Sequence, residues 1–149
     1  MSEELTGLLG RVRAATGPDR EIDAAFHALT HSVPFRFVGQ LVEMEFHHAD
    51  EQTKRWHKSH DTRDNTRAVI RYVPYTSSLD AIVALIERKH QVMSLTMTID
   101  PSGCGAKLTV WPQGLSGGIE TRFDSVSHSV ELACCAVFLS SLSAQEDKL

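Results

Sequence analysis

The chain has 149 residues, 42% of them hydrophobic and 23% charged, with a formal net charge of -4. That length and mixture suit a single domain, residues 1–149, with one hydrophobic core. The acidic balance argues against duplex nucleic acid, which selects a basic surface. No apolar run approaches the roughly 20 residues that cross a bilayer. The N-terminal MSEELTGLLGRVRAATG starts acidic and has no signal-peptide hydrophobic block. Three cysteines, Cys104, Cys134 and Cys135, lack CxxC spacing and fit a reducing cytoplasm better than a disulfide scaffold.

Leu5, Leu8, Leu9 and Val12 lie at helical spacing and predict a helix over Glu3–Ala14. Thr16-Gly17-Pro18 ends it. Pro18 then opens a second helix, because its missing N–H is not needed at the first helical position. Asp19 and Glu21 place negative charge in that first turn, Ile22, Ala25, Phe26 and Leu29 form the buried stripe, and Pro34 closes the pair. From Phe35 the period changes to two. Gln40, Val42, Met44 and Phe46 share one face of a strand running to His47, with Gly39 as a bulge or bend inside it. Residues 47–66, HHADEQTKRWHKSHDTRDNT, lose all periodicity and read as a long exposed loop with room for a short helical turn.

Residues 67–73 resume as a strand, with Ala68, Ile70 and Tyr72 on one face. The clearest local signal follows, in YTSSLDAIVALIER (75–88), and the chain reads as organised around it. Leu79, Ile82, Val83 and Ile86 form a core-facing stripe, and Ser77 is the expected cap. Met93, Leu95, Met97 and Ile99 then alternate with small polar residues. Residues 100–103 turn, and Ala106, Leu108 and Val110 complete a hairpin. A loop over 113–118 leads to a short strand over 119–124. Ser125 or Ser127 is expected to cap a last helix over 126–141, which is apolar nearly all round and therefore buried between other elements. The pattern predicts an α+β fold: a mainly antiparallel sheet of about five strands covered by helices, an α-β-α sandwich.

Three segments, ATGPDREIDAAFHAL (15–29), VPYTSSLDAIVALI (73–86) and SVELACCAVFLSSL (129–142), carry a resemblance. In this order they are similar to the small phage and prophage proteins of the phage ABA sandwich domain family. The resemblance implies a small α-β-α sandwich encoded by a mobile element and acting in the cytoplasm of a bacterial host. It implies no established activity. The histidine-rich loop and the polar hairpin depart from the family's pattern.

The loop is the main candidate for chemistry. His47, His48, His57 and His60, with Asp50 and Asp61, are of the types that ligate zinc, and His57, His60 and Asp61 are the weak metal candidates. Lys54, Arg55, Lys58, Arg63 and Arg67 share the segment and disfavour a dication, and there is no HExxH helix. The same cations suit an anion. Trp56 lies among basic residues, with Arg63, Arg67 and Arg71 downstream, and an aromatic plane beside cations is how proteins hold a nucleobase and its phosphates. The candidate ligand residues are Trp56, His60, Arg63, Arg67, Arg71 and Trp111. The competing reading pairs Arg67 and Arg71 with carboxylates on a strand's outer face. Pro18–Glu21 reads as helix-start charge placement, and Cys134-Cys135 as small core residues.

The expectation is a phage accessory protein, more a binder than an enzyme, that sequesters a small anionic molecule such as a nucleotide signal of host defence. It needs no cofactor. The alternatives are a module docking on a host or phage protein, and a metal-dependent hydrolase built on the histidine loop. A homodimer is left open through a sheet edge of the hairpin or of strand 119–124, with Lys107, Glu120 and Arg122 as charges able to guard such an edge.

Overall fold

The computed structural model describes residues 2–39, 41–47, 56–58 and 72–147, with 41, 43–47, 56–58, 146 and 147 described by backbone alone. Two helices come first. α1 (Glu3–Ala14) starts at Ser2, whose hydroxyl accepts from the Leu5 N–H at 3.2 Å. α2 (Arg20–Thr30) starts at Asp19, whose carboxylate accepts from the N–H groups of Glu21 and Ile22. Pro18 thus lies before the cap rather than inside the helix, and Asp19 itself is the N-cap.

The expected strand 35–47 is two strands. β1 (Phe35–Val38) and β2 (Leu41–His47) pair antiparallel, with Val38 opposite Leu41 and Phe35 opposite Met44. Gly39, at φ 61°, is in the tight turn of this hairpin rather than a bulge. A left-handed backbone at that position costs glycine nothing, and the two-residue turn moves the shared face from odd positions, Phe35 and Phe37, to even ones, Met44 and Val42. β3 (Trp56–Lys58) pairs with β2, so this part of the expected loop is strand. Of the strand expected over 67–73, residues 67–71 lie outside the described residues, and Tyr72 and Val73 belong to no regular element.

α3 (Leu79–Lys89) begins later than expected. Ser78, not Ser77, is its cap and accepts from the Ala81 N–H at 3.3 Å, while residues 75–77 form a turn closed by Ser77 and Ser78 N–H bonds to the Pro74 carbonyl. β4 (Met93–Asp100), β5 (Gly103–Val110) and β6 (Thr121–Ser127) form a second antiparallel sheet in that order. Ser125 and Ser127 are therefore strand residues. α4 (Val130–Asp147) is instead started by Ser129, whose hydroxyl accepts from the Leu132 N–H at 3.2 Å.

The fold is α+β, as expected, but the described strands form two three-stranded sheets rather than one of about five. α4 packs on β5 and β6 and touches α1 and α3, while α1 and α2 pack on the first sheet. This explains an apolar helix without a polar face: Leu132, Ala133, Cys134, Cys135, Ala136, Val137, Phe138 and Leu139 are all buried. The centre of the core is α4 rather than α3. Helices cover one face of the second sheet; on the other, Ser94, Thr96, Thr98, Lys107, Arg122 and Asp124 are exposed.

Candidate functional site

A hydrogen-bond knot joins two of the quoted segments. Asp23 is 6% exposed, and its Oδ1 accepts from the Thr76 N–H at 2.8 Å and from the Thr76 hydroxyl at 2.9 Å. The same hydroxyl accepts from the Asp19 N–H at 2.9 Å. Burial pushes the Asp23 carboxyl above its ordinary range, although both bonds from Thr76 pull the other way. The start of α2 is thereby fixed to the turn before α3.

Tyr75, next to Thr76 in that turn, lines a cavity of about 540 Å³. Its floor is apolar: Leu29 of α2, Tyr75 of the turn, Leu85 of α3, and Phe138 and Leu142 of α4. Phe26 supports the two aromatic floor residues, with ring centroids 5.3 Å from Tyr75 and 6.2 Å from Phe138. The rim is polar and cationic. Thr30, His31 and Ser32 come from the end of α2, Arg88 and Lys89 from the last turn of α3, and Val73 completes it. Among the described residues no carboxylate lines the cavity. Among the described residues neither Arg88 nor Lys89 is in an ion pair.

The rim has an unusual backbone. Ser32 sits at φ 56°, a left-handed conformation that usually selects glycine. It is the turn residue of a Schellman motif: the Val33 N–H reaches the Ala28 carbonyl at 2.8 Å and the Ser32 N–H reaches Leu29 at 3.4 Å. His31 is held on His27 by two contacts. Its ring stacks on His27 at 4.1 Å between centroids, and its Nδ1 lies 2.9 Å from the His27 carbonyl. A carbonyl only accepts, so Nδ1 carries the proton and Nε2 remains for another partner. Burial and the neighbouring His31 hold His27 below the usual histidine range, and Tyr72 meets the His27 ring edge-on at 5.3 Å.

Volume, floor and rim together can bury a flat or apolar group and meet an acidic one. The volume lies within the usual range of small-ligand sites. The ends of α2 and α3 contribute partial negative charge, and Arg88 and Lys89 stand where a helix dipole favours cations. Apolar burial would therefore carry most of the affinity, with the cations orienting the acid group.

A buried histidine–serine contact lies elsewhere and is not a nucleophile. His90 Nε2 is 2.9 Å from Ser141 Oγ, but the Ser141 hydroxyl donates to the Phe138 carbonyl at 2.6 Å. Its proton is committed there, so the imidazole donates to the serine instead of drawing a proton from it. Burial keeps His90 below the usual histidine range. The adjacent Cys134 and Cys135 thiols are equally poor nucleophiles. Burial pushes the first up to about 12 and raises the second well above its ordinary value.

Among the sequence-predicted ligand residues, Trp56 and His57 are placed by backbone in β3, opposite His47 and Phe46. His60, Asp61, Arg63, Arg67 and Arg71 lie outside the described residues. Trp111 is half-buried at the end of β5, where its N–H donates to Val92 at 3.1 Å, and it does not line the cavity. Sequence reasoning missed the cavity. Arg88 and Lys89 look like ordinary last-turn cations, and nothing in the sequence marks Ser32 as left-handed. The i, i+4 pair His27 and His31 is a visible signal. Among the described residues no group of three or more His, Cys, Asp or Glu side chains could hold a metal ion, and no helix is long and apolar enough to cross a membrane. Comparison with known families, with curated proteins and with solved structures finds no match.

Proposed function

We propose that the chain is a non-catalytic binder of a small amphipathic anion, held in the cavity between the ends of α2 and α3 and the flank of α4. The observation that carries this reading is the joining of an apolar floor, Tyr75 and Phe138 included, to a rim of His31, Arg88 and Lys89 on which no described residue is a carboxylate. A ligand with one flat group and one phosphate or carboxylate matches both halves, and a nucleotide belongs to that class. The flat group lies over the aromatic floor, and the acid meets Arg88 through paired N–H donors. The ligand leaves unchanged, because Ser141, Cys134 and Cys135 are unreactive for the reasons above.

The setting of a phage or prophage accessory protein in a bacterial cytoplasm, acting against a nucleotide signal of host defence, rests on the three quoted segments alone. In that setting the binder works by sequestration, and Trp56, His60, Arg63, Arg67 and Arg71 are a separate set of ligand candidates that rests on sequence alone.

The test is calorimetry against linear and cyclic nucleotides and aromatic carboxylates, followed by chromatography of the recovered ligand. Binding is expected for at least one member. The expected loss is about tenfold or more for Arg88→Ala, with Arg88→Lys little better, because lysine lacks the paired donors. Heat from no member would remove the reading. A recovered ligand that had been cleaved would favour the hydrolase and point to His57, His60 and Asp61.

A further inference from the structure

Edge strands expose a row of N–H and C=O groups, and proteins normally guard them with charge, proline, bulges or a covering element. Among the described strands the second sheet has two edges, β4 and β6, and they differ. β6 carries Arg122 and Asp124 on its exposed face, and Arg122 is paired with Glu120 at 2.6 Å. β4 is eight residues long, MSLTMTID, with no lysine, arginine or proline and a single charge, Asp100, at its end. It pairs with β5 residue for residue from Met93–Val110 to Asp100–Gly103, without a bulge.

The pairing pattern shows which groups face outward. The Trp111 N–H donates to the Val92 carbonyl, and Val92 stands opposite Trp111 in the same register. In an antiparallel ladder bonded and non-bonded positions alternate. Even-numbered residues of β4 therefore bond to β5, and Leu95, Met97 and Ile99 direct their N–H and C=O groups to the open edge. Their side chains all lie on the face that α4 covers further along. α4 does not reach the end of that face. Met97 is 39% exposed and Ile99 77% exposed, both large and apolar.

We infer that β4 is the docking edge for a second copy of this chain, joined about a two-fold axis through Met97. In that register Met97 faces its own copy, Leu95 faces Ile99 and Thr96 faces Thr98, so the exposed apolar pair is covered and the outward backbone groups meet. Asp100 falls opposite Ser94, a hydroxyl donor. Shifting the axis by one residue toward the N-terminus would set Asp100 against Val92 instead. Shifting it the other way would bring Leu95 against Pro101, which has no N–H to give. The joined sheet has six strands, an ordinary size.

The test is sedimentation velocity of the intact chain across micromolar concentrations, with Met97→Lys, Met97→Glu and an equimolar mixture of the two. The wild type is expected to dimerise. Each variant alone sets like charges face to face and is expected to be monomeric, and the mixture to recover the dimer. Val126→Lys, on the other edge strand at a residue 71% exposed, should dimerise as the wild type does. Hydrogen exchange of the unaltered chain guards against misfolded variants: the Leu95, Met97 and Ile99 amides should gain protection as concentration rises. A wild type that stays monomeric, amides insensitive to concentration, or a mixture that fails to recover the dimer would each overturn the inference.

Discussion

At the scale of single residues, Ser32 stands out because the backbone there suits a different residue. A non-glycine side chain in a left-handed conformation costs about 1 kcal/mol or more. Such strain gathers where a side chain is wanted for another purpose, and Ser32 lies on the cavity rim beside His31. Ser32→Gly should therefore raise stability by about 0.5–1 kcal/mol, read as a higher urea midpoint, while weakening ligand binding. A variant that gained stability and kept full affinity would leave the hydroxyl without a role in the site. Asp23 gives the complementary case. Asp23→Asn keeps an oxygen for both bonds from Thr76 and removes a charge that burial disfavours, so it should be neutral or stabilising at neutral pH. Asp23→Ala leaves the buried Thr76 N–H without a partner and should cost about 1–3 kcal/mol. Equal losses from the two substitutions, by chemical denaturation, would mean that the carboxylate charge itself holds the junction.

At the scale of elements, what was legible depended on how far along the chain the deciding contact lay. α1 was readable to its last residue, because Leu5, Leu8, Leu9 and Val12 are all buried and Ser2 and Ala15 bound them locally. The β4–β5 hairpin was readable for the same reason. Its alternation and its Pro101-Ser102 turn are adjacent in sequence, and Asp100 accepts from the Ser102 N–H at 2.8 Å. The split of 35–47 into two strands was not, since Gly39 serves a bend and a tight turn equally well. Nor was the start of α4: serines at 125, 127 and 129 are all good caps, and only the pairing of β6 with β5 up to Ser127 leaves Ser129 for the role. The cavity was illegible because its residues come from α2, the turn at 75, α3 and α4, brought together by tertiary contacts. The stripe of α3, by contrast, allows a firm expectation. Ile82 and Ile86 are fully buried, whereas Val83 is only partly so. Ile82→Ala and Ile86→Ala should each cost about 2–5 kcal/mol and Val83→Ala clearly less. Midpoints that fell equally for all three would show that this helix face packs differently.

At the scale of the whole molecule, the buried titratable groups set how stability responds to pH. His27 and His90 are both held below the ordinary histidine value of 6.5, chiefly by burial. The folded state thus binds fewer protons than the unfolded state in the range just below that value. The stability these rings contribute is present above it and is lost as pH falls through it toward their folded values. Asp23 acts with the opposite sign. Its folded value is raised from 3.8, so its contribution is present below that value and is lost as pH rises through the raised one. Asp23 consequently offers no protection at neutral pH and does not add to acid lability, which leaves the histidines to dominate the first losses on mild acidification. Denaturation midpoints should fall between about pH 7.5 and 5.5, the span over which histidine changes charge. His90→Gln can still donate to Ser141 but carries no proton-linked charge, so it should flatten that fall without abolishing it, His27 supplying the remainder. A midpoint that stayed level or rose over the same span would show that neither ring is buried in its neutral form. The loss of stability should also be reversible on returning to neutral pH, because it comes from protonation of rings in place rather than from any covalent change.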